Sequence, residues 1–150
     1  MDSYFRHIAL VVPDLQEAER YYLNLFEMEL IGREAKLEDG LWYTLPDALG
    51  WKDAEAAGID LNMLALRKGE AVLALFPGSQ PPGQVFSIGL AMPWEEVEKV
   101  KERLPADAEV ILDRDDQFHF RDRYGVSWQL VPPGTGFFMN GDTSGRWLEV

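Results

Sequence analysis

Two histidines, His7 and His119, and the acidic turn Asp113, Asp115 and Asp116 are the side chains of this 150-residue chain best suited to metal or acid–base chemistry. A histidine can exchange a proton near neutral pH, or hold a divalent ion through a ring nitrogen. His7 heads the apolar run Ile8-Ala9-Leu10-Val11-Val12, and His119 sits between Phe118 and Phe120. The simpler reading of His7 is a pocket-wall or strand-edge histidine with a satisfied hydrogen bond. The three aspartates lack the glycine and closing glutamate of a calcium loop and read as a solvated turn. No Gly-rich phosphate loop, G-x-S-x-G or H-E-x-x-H is present. Cysteine is absent, which excludes disulfides and thiolate chemistry.

Bulk properties narrow the class further. A net charge of −12 argues against non-specific nucleic-acid binding, which needs a basic face. No run of about 18 or more apolar residues suggests a membrane span. Met1-Asp2-Ser3-Tyr4 lacks the pattern of a signal peptide, and the missing cysteines agree with a cytoplasmic address. The length fits one domain.

The elements that would position His7 begin with His7 itself. Residues 7 to 12 read as a covered strand ended by Pro13. Asp14 is placed to cap a helix, with Glu17 completing a capping box and Leu15, Ala18, Tyr22 and Leu25 at helical spacing. Ser87-Ile88-Gly89-Leu90-Ala91-Met92-Pro93-Trp94 echoes this unit eighty positions later (87 minus 7), before a second helix at 95–104. Leu73 to Gly78 is answered by Trp128 to Gly134. Such repetition predicts two copies of one supersecondary unit. Strands are expected at 28–37, 59–66 and 71–76, with Leu41 to Leu45 extending the pairing of the first of these beyond the Asp39-Gly40 turn, and a short helix at 52–57. The second half supplies strands at 84–92, 108–112, 117–122 and 127–131. Each half reads β-α-β-β-β. The single domain then comprises modules at about 4–77 and 84–133, the Pro- and Gly-rich linker 77–84, and a tail at 134–150 with Phe137, Phe138 and Trp147 to fold back over something apolar.

The opening histidine strand, Pro13-Asp14-Leu15 before Tyr21-Tyr22, and Asp122-Arg123-Tyr124-Gly125 before Trp128-Gln129-Leu130 together resemble the vicinal oxygen chelate superfamily. That superfamily includes glyoxalase I, extradiol dioxygenases, fosfomycin-resistance proteins and bleomycin-resistance proteins. The resemblance covers about residues 5 to 132. It implies an α+β fold of two β-α-β-β-β modules whose eight strands form an open, barrel-like sheet around a pocket. Glu27 stands where such sequences usually have glycine after the first helix. Metal-using members take their ligands from positions that correspond here to His7, Ala74, Ser87 and Gln129. Only His7 is a ligand that divalent ions favour, and Ser87 stands where a second histidine would be needed. No metal and no cofactor are therefore expected, and metal-dependent glyoxalase or dioxygenase activity is not.

Strand alternation turns His7, Ala9, Val11, Val72, Ala74, Phe76, Ser87, Gly89, Ala91, Ser127, Gln129 and Val131 inward. Many are small, so they either leave room for a ligand or let a curved sheet close. Expected ligand-binding residues are His7, Phe76, Ser87, Gly89 and Gln129, with Trp42 or Tyr43 as a further flat wall. On this reading Gly89→Leu fills the pocket and leaves the fold intact. Whether His119 and Arg121 or Phe118 and Phe120 face the pocket is open. The expected function is metal-free binding of a small apolar or aromatic molecule, of the bleomycin-resistance kind. The alternatives are a lyase, isomerase or dioxygenase using His7 or His119, with or without a metal, and a degenerate module kept for association. No catalytic residue is assigned. The expected partners are a small-molecule ligand and a second copy in a homodimer, without nucleic acid or membrane.

Overall fold

The structure is a computed structural model that describes residues 3–79, 84–121 and 125–150, with the side chains of Leu25 and Phe26 excepted. Most of the expected linker, Gln80 to Gly83, lies outside the described residues, as do Asp122, Arg123 and Tyr124. The first half comprises β1 (Tyr4–Val12), α1 (Leu15–Phe26), β2 (Glu29–Lys36), β3 (Trp42–Thr44), α2 (Trp51–Ala56), β4 (Met63–Lys68) and β5 (Ala71–Pro77). The second comprises β6 (Gln84–Ala91), α3 (Trp94–Arg103), β7 (Glu109–Asp113), β8 (Phe118–Arg121) and β9 (Ser127–Val131). A short helix α4 (Asn140–Ser144) lies in the tail.

Among the described residues, the strands form one open sheet of nine, ordered β3-β2-β4-β5-β1-β6-β9-β8-β7. β1 and β6 pair antiparallel at its centre, each with a parallel partner on its far side, β5 and β9 respectively. The halves therefore match strand for strand as β-α-β-β-β, with β3 and α2 inserted between β2 and β4. The expected eight strands become nine because β3 pairs with β2 as a separate edge strand. β4 starts at Met63 rather than Ile59, and it runs through Arg67 and Lys68 to a tight turn at Gly69 and Glu70.

Local chemistry explains the helix ends. The Asp14 carboxylate accepts a hydrogen bond from the Glu17 amide at 3.0 Å, satisfying one of the free donors of α1. Glu27 closes α1 with a left-handed φ of 52°. Glycine takes that conformation without strain, which accounts for its usual place there.

The helices cover the convex face. α1 packs Leu15, Ala18 and Tyr22 onto Leu64, Leu66 and Leu75, and burying each of those leucines contributes about 1.5–3 kcal/mol. α3 packs Val97 and Val100 against Phe118, Phe120 and Leu130. Phe118 and Phe120 thus face α3. His119 pairs with Gln129 and Arg121 with Ser127, which places this second pair of side chains on the concave face.

Candidate functional site

The concave face is crossed by rows of residues in register. Ala74, Ala9, Ser87 and Ser127 form one row, and Val72, His7, Gly89, Gln129 and His119 form the next. Neighbours in a row point the same way. The register therefore gathers His7, Ser87, Gly89 and Gln129 on one wall, with Ala74 beside them. Phe76 joins through the β1 pairing at Val11.

The tail lies over this wall. Met139 is almost fully buried in the cluster of Ala9, Ala65 and Ala74, and it approaches Gly32 so closely that a Cβ there would lie 2.5 Å from Met139 Cγ. Phe137 meets the His7 ring edge-on, 5.2 Å between centroids. The His7 ring also lies across Gly89, where a Cβ would fall 2.1 Å from Nδ1. The space expected above Gly89 is therefore filled by an imidazole. His7 is 4% exposed and Ser87 2%.

Among the described residues, the buried His7 Nδ1 has no hydrogen-bond partner. Burial, helped by the Arg6 charge and by His119, pushes the His7 imidazole down from 6.5 to about 4. Burial, with Arg6 and Arg114 nearby, also pushes His119 below its ordinary value.

The His7 shift makes stability depend on pH. As pH falls, the unfolded chain protonates His7 before the folded one does. The stability associated with a neutral His7 is thus complete above pH 6.5 and is lost as pH falls towards about 4, a loss of about 3 kcal/mol in all. Urea titrations between pH 7 and 4 are expected to show a markedly flatter stability profile for His7→Gln than for the parent. Parallel profiles would overturn the assignment.

The open space lies further along the concave face. A cleft of about 670 Å³ is bounded by Val11 of β1, Glu34 of β2, Trp42 of β3, Met63 of β4, Phe76 of β5, Phe86 of β6 and Gln129 of β9, with Asn140 of α4 contributing from the tail. Phe76 and Gln129 thus line it, whereas His7, Ser87 and Gly89 are not among its walls. Trp42 meets Phe76 edge-on at 6.0 Å, and Phe86 lies tilted on Phe76 at 4.6 Å. Tyr43 turns away to pack beside Ala35 and Leu45 and donates its hydroxyl to Asp39.

One wall of the cleft carries a buried carboxylate that the sequence reading missed. Glu34 is 2% exposed. Its Oε2 accepts from the Thr44 hydroxyl at 2.5 Å and from the Asn140 amide at 2.7 Å, and its Oε1 accepts from Asn140 Nδ2 at 2.7 Å. Both oxygens are thereby engaged in holding the tail. A carboxylate so committed serves as an anchor before it serves as a base.

The residues at the positions implied for metal ligands do not suit a divalent ion. Ala74 offers no donor, Ser87 and Gln129 offer neutral oxygens, and His7 Nδ1 abuts Gly89. Among the described residues, no group of three or more histidine, aspartate or glutamate side chains is placed to hold one. Among the described residues, no helix is long and apolar enough to cross a membrane.

Three solved structures share the fold. A hypothetical protein from Bacillus halodurans C-125 superposes with a TM-score of 0.55 at 15% identity, covering 91% of this chain and 99% of that one. A methylmalonyl-CoA epimerase gives 0.53 at 14% identity, covering 90% and 99%. The methylmalonyl-CoA epimerase of Streptomyces coelicolor gives 0.51 at 15% identity, covering 87% and 97%. No curated protein sequence matches the chain significantly. The profile described as Glyoxalase/Bleomycin resistance protein/Dioxygenase superfamily matches residues 4–130, nearly the whole span of the nine-stranded sheet. The chain belongs to that superfamily.

Proposed function

We propose that the protein binds a compact, partly aromatic small molecule in the cleft, without a metal. The observation that carries this reading is the group of three rings, Trp42, Phe76 and Phe86, lining an open cleft of about 670 Å³. Apolar walls with a few polar groups are the usual makeup of a small-molecule site. Here Gln129 and Asn140 supply amides able to orient a carbonyl or hydroxyl. His7 lies outside the cleft walls, so nothing in the geometry recommends it as a base towards a molecule held there.

Phe86 offers a clean test because it is half exposed and its removal leaves the core intact. A panel of compact aromatic compounds is screened for a saturable rise in melting temperature, which linkage requires of any ligand that binds only the folded state. Phe86→Ala is expected to weaken a hit by about 2- to 12-fold, the equivalent of one aromatic contact of about 0.5–1.5 kcal/mol. Gln129→Leu should weaken a carbonyl-bearing hit by a similar factor. A panel without hits, or hits indifferent to both substitutions, would refute the reading.

A further inference from the structure

A second, smaller pocket opens between the start of β1, the β4–β5 turn and the tail, with a volume of about 170 Å³. Two arginines reach it. Arg6 donates through Nη2 to the Gly136 carbonyl at 3.2 Å, and Arg67 donates through Nη2 to the Phe137 carbonyl at 3.1 Å. The Arg6 guanidinium also lies over the Phe137 ring at 5.0 Å. Each guanidinium carries five N–H donors, so these contacts leave much of its capacity unused.

Several basic side chains elsewhere in the chain sit against carboxylates. Arg33 pairs with Glu19, Arg121 with Glu109, Lys99 with Glu96, and Lys101 with Glu98 and Asp113. In a chain with 26 acidic residues, neither Arg6 nor Arg67 forms an ion pair among the described residues. Glu70 stands at the pocket and is exposed, yet it bridges to neither. The Arg6 Nε is buried and has no hydrogen-bond partner among the described residues. Burial also lowers the pKa of Arg6 from its ordinary value, so the surroundings leave its charge poorly solvated. Such an uncompensated charge costs stability unless something else supplies the counter-charge.

We propose that this pocket is a binding site for a small oxyanion, a carboxylate or phosphate group, held between the guanidinium groups of Arg6 and Arg67. Guanidinium forks match the paired oxygens of both groups. The volume admits an anion of that size, either free or as the charged end of a longer molecule. The Tyr4 hydroxyl, which accepts from the Gly134 amide at 3.3 Å, keeps its own proton free for a further hydrogen bond.

The test uses inorganic phosphate and acetate on the intact chain, each against sodium chloride at equal ionic strength to remove general screening. At least one of the two is expected to raise the melting temperature saturably, and their ranking identifies the preferred oxyanion. Amide shifts on titration should centre on Gly69, Thr135 and Gly136. Arg67→Gln should weaken binding by about tenfold or more, as the loss of charge-assisted hydrogen bonds implies. Because Arg67 also holds the tail, the shift map on the parent protein stands as an independent measurement. No saturable effect beyond chloride, shifts centred elsewhere, or a folded Arg67→Gln that binds as well as the parent would each overturn the proposal.

Discussion

Gly89→Ala is expected to destabilise the protein by about 3 kcal/mol, the upper range for overpacking a filled interior. For a domain of this length that is a fall in melting temperature of about 6–12 °C. The new methyl would sit 2.1 Å from His7 Nδ1 and 2.3 Å from Cε1. Phe137 also packs against the ring, so a shift of the ring disturbs a contact with the tail. Relief requires either a spread of the β1–β6 pairing at the centre of the sheet or displacement of the tail. His7→Ala in the same chain removes the obstruction, so the double variant should be more stable than Gly89→Ala alone. That non-additivity is the readout, since a general intolerance of β6 to substitution would give additive losses. A neutral Gly89→Ala would mean that the ring does not rest on Gly89.

This pair shows where the sequence stops being readable. The internal repeat predicts two matched halves, and alternation along β1 and β6 turns His7 and Gly89 to one face. Both readings use only spacing within a strand. That His7 faces Gly89 directly depends on the antiparallel register between segments eighty positions apart (87 minus 7), which spacing does not specify. Small inward residues fit an empty pocket and a filled one equally, and here the larger neighbours His7 and Met139 occupy the room that Gly89 and Gly32 leave.

Phe86 and Glu34 were hidden for different reasons. Strict alternation from Ser87 turns Phe86 outward. A register shift between Ala9 and Leu10 breaks that alternation, and the Phe86 ring reaches Phe76. Bulges of this kind redirect a side chain without leaving a mark in the hydrophobic pattern. Glu34 lies among Arg33, Ala35 and Lys36, where a carboxylate reads as solvated strand surface. Its partners Thr44 and Asn140 are 10 and 106 positions away, so its burial follows from how the tail folds back.

Glu34→Ala is therefore expected to release the tail, at a cost of about 3 kcal/mol. Three donors lose their acceptor at once: the Thr44 hydroxyl, the Asn140 amide and the Asn140 side chain. Each stranded donor would cost about 1–3 kcal/mol if it stayed buried. The full sum is not reached, because the tail can lift and rehydrate those groups, so the free energy of tail docking caps the loss. That docking is substantial. Met139 is buried in the concave core, Leu148 packs beside Leu45 and Ala54, and Thr44 exchanges backbone hydrogen bonds of 2.7 Å with Arg146 and Leu148. The amides of Asn140, Gly141 and Leu148 should exchange with solvent much faster in Glu34→Ala, while those of α3 and β9 keep their protection. Glu34→Gln retains one acceptor oxygen and should lose only about 1 kcal/mol with the tail still seated. Because Asn140 lines the aromatic cleft, release of the tail should also weaken any cleft ligand without touching Trp42, Phe76 or Phe86. A Glu34→Ala protein of parental stability and unchanged tail exchange would show that the carboxylate is free for another role in the cleft.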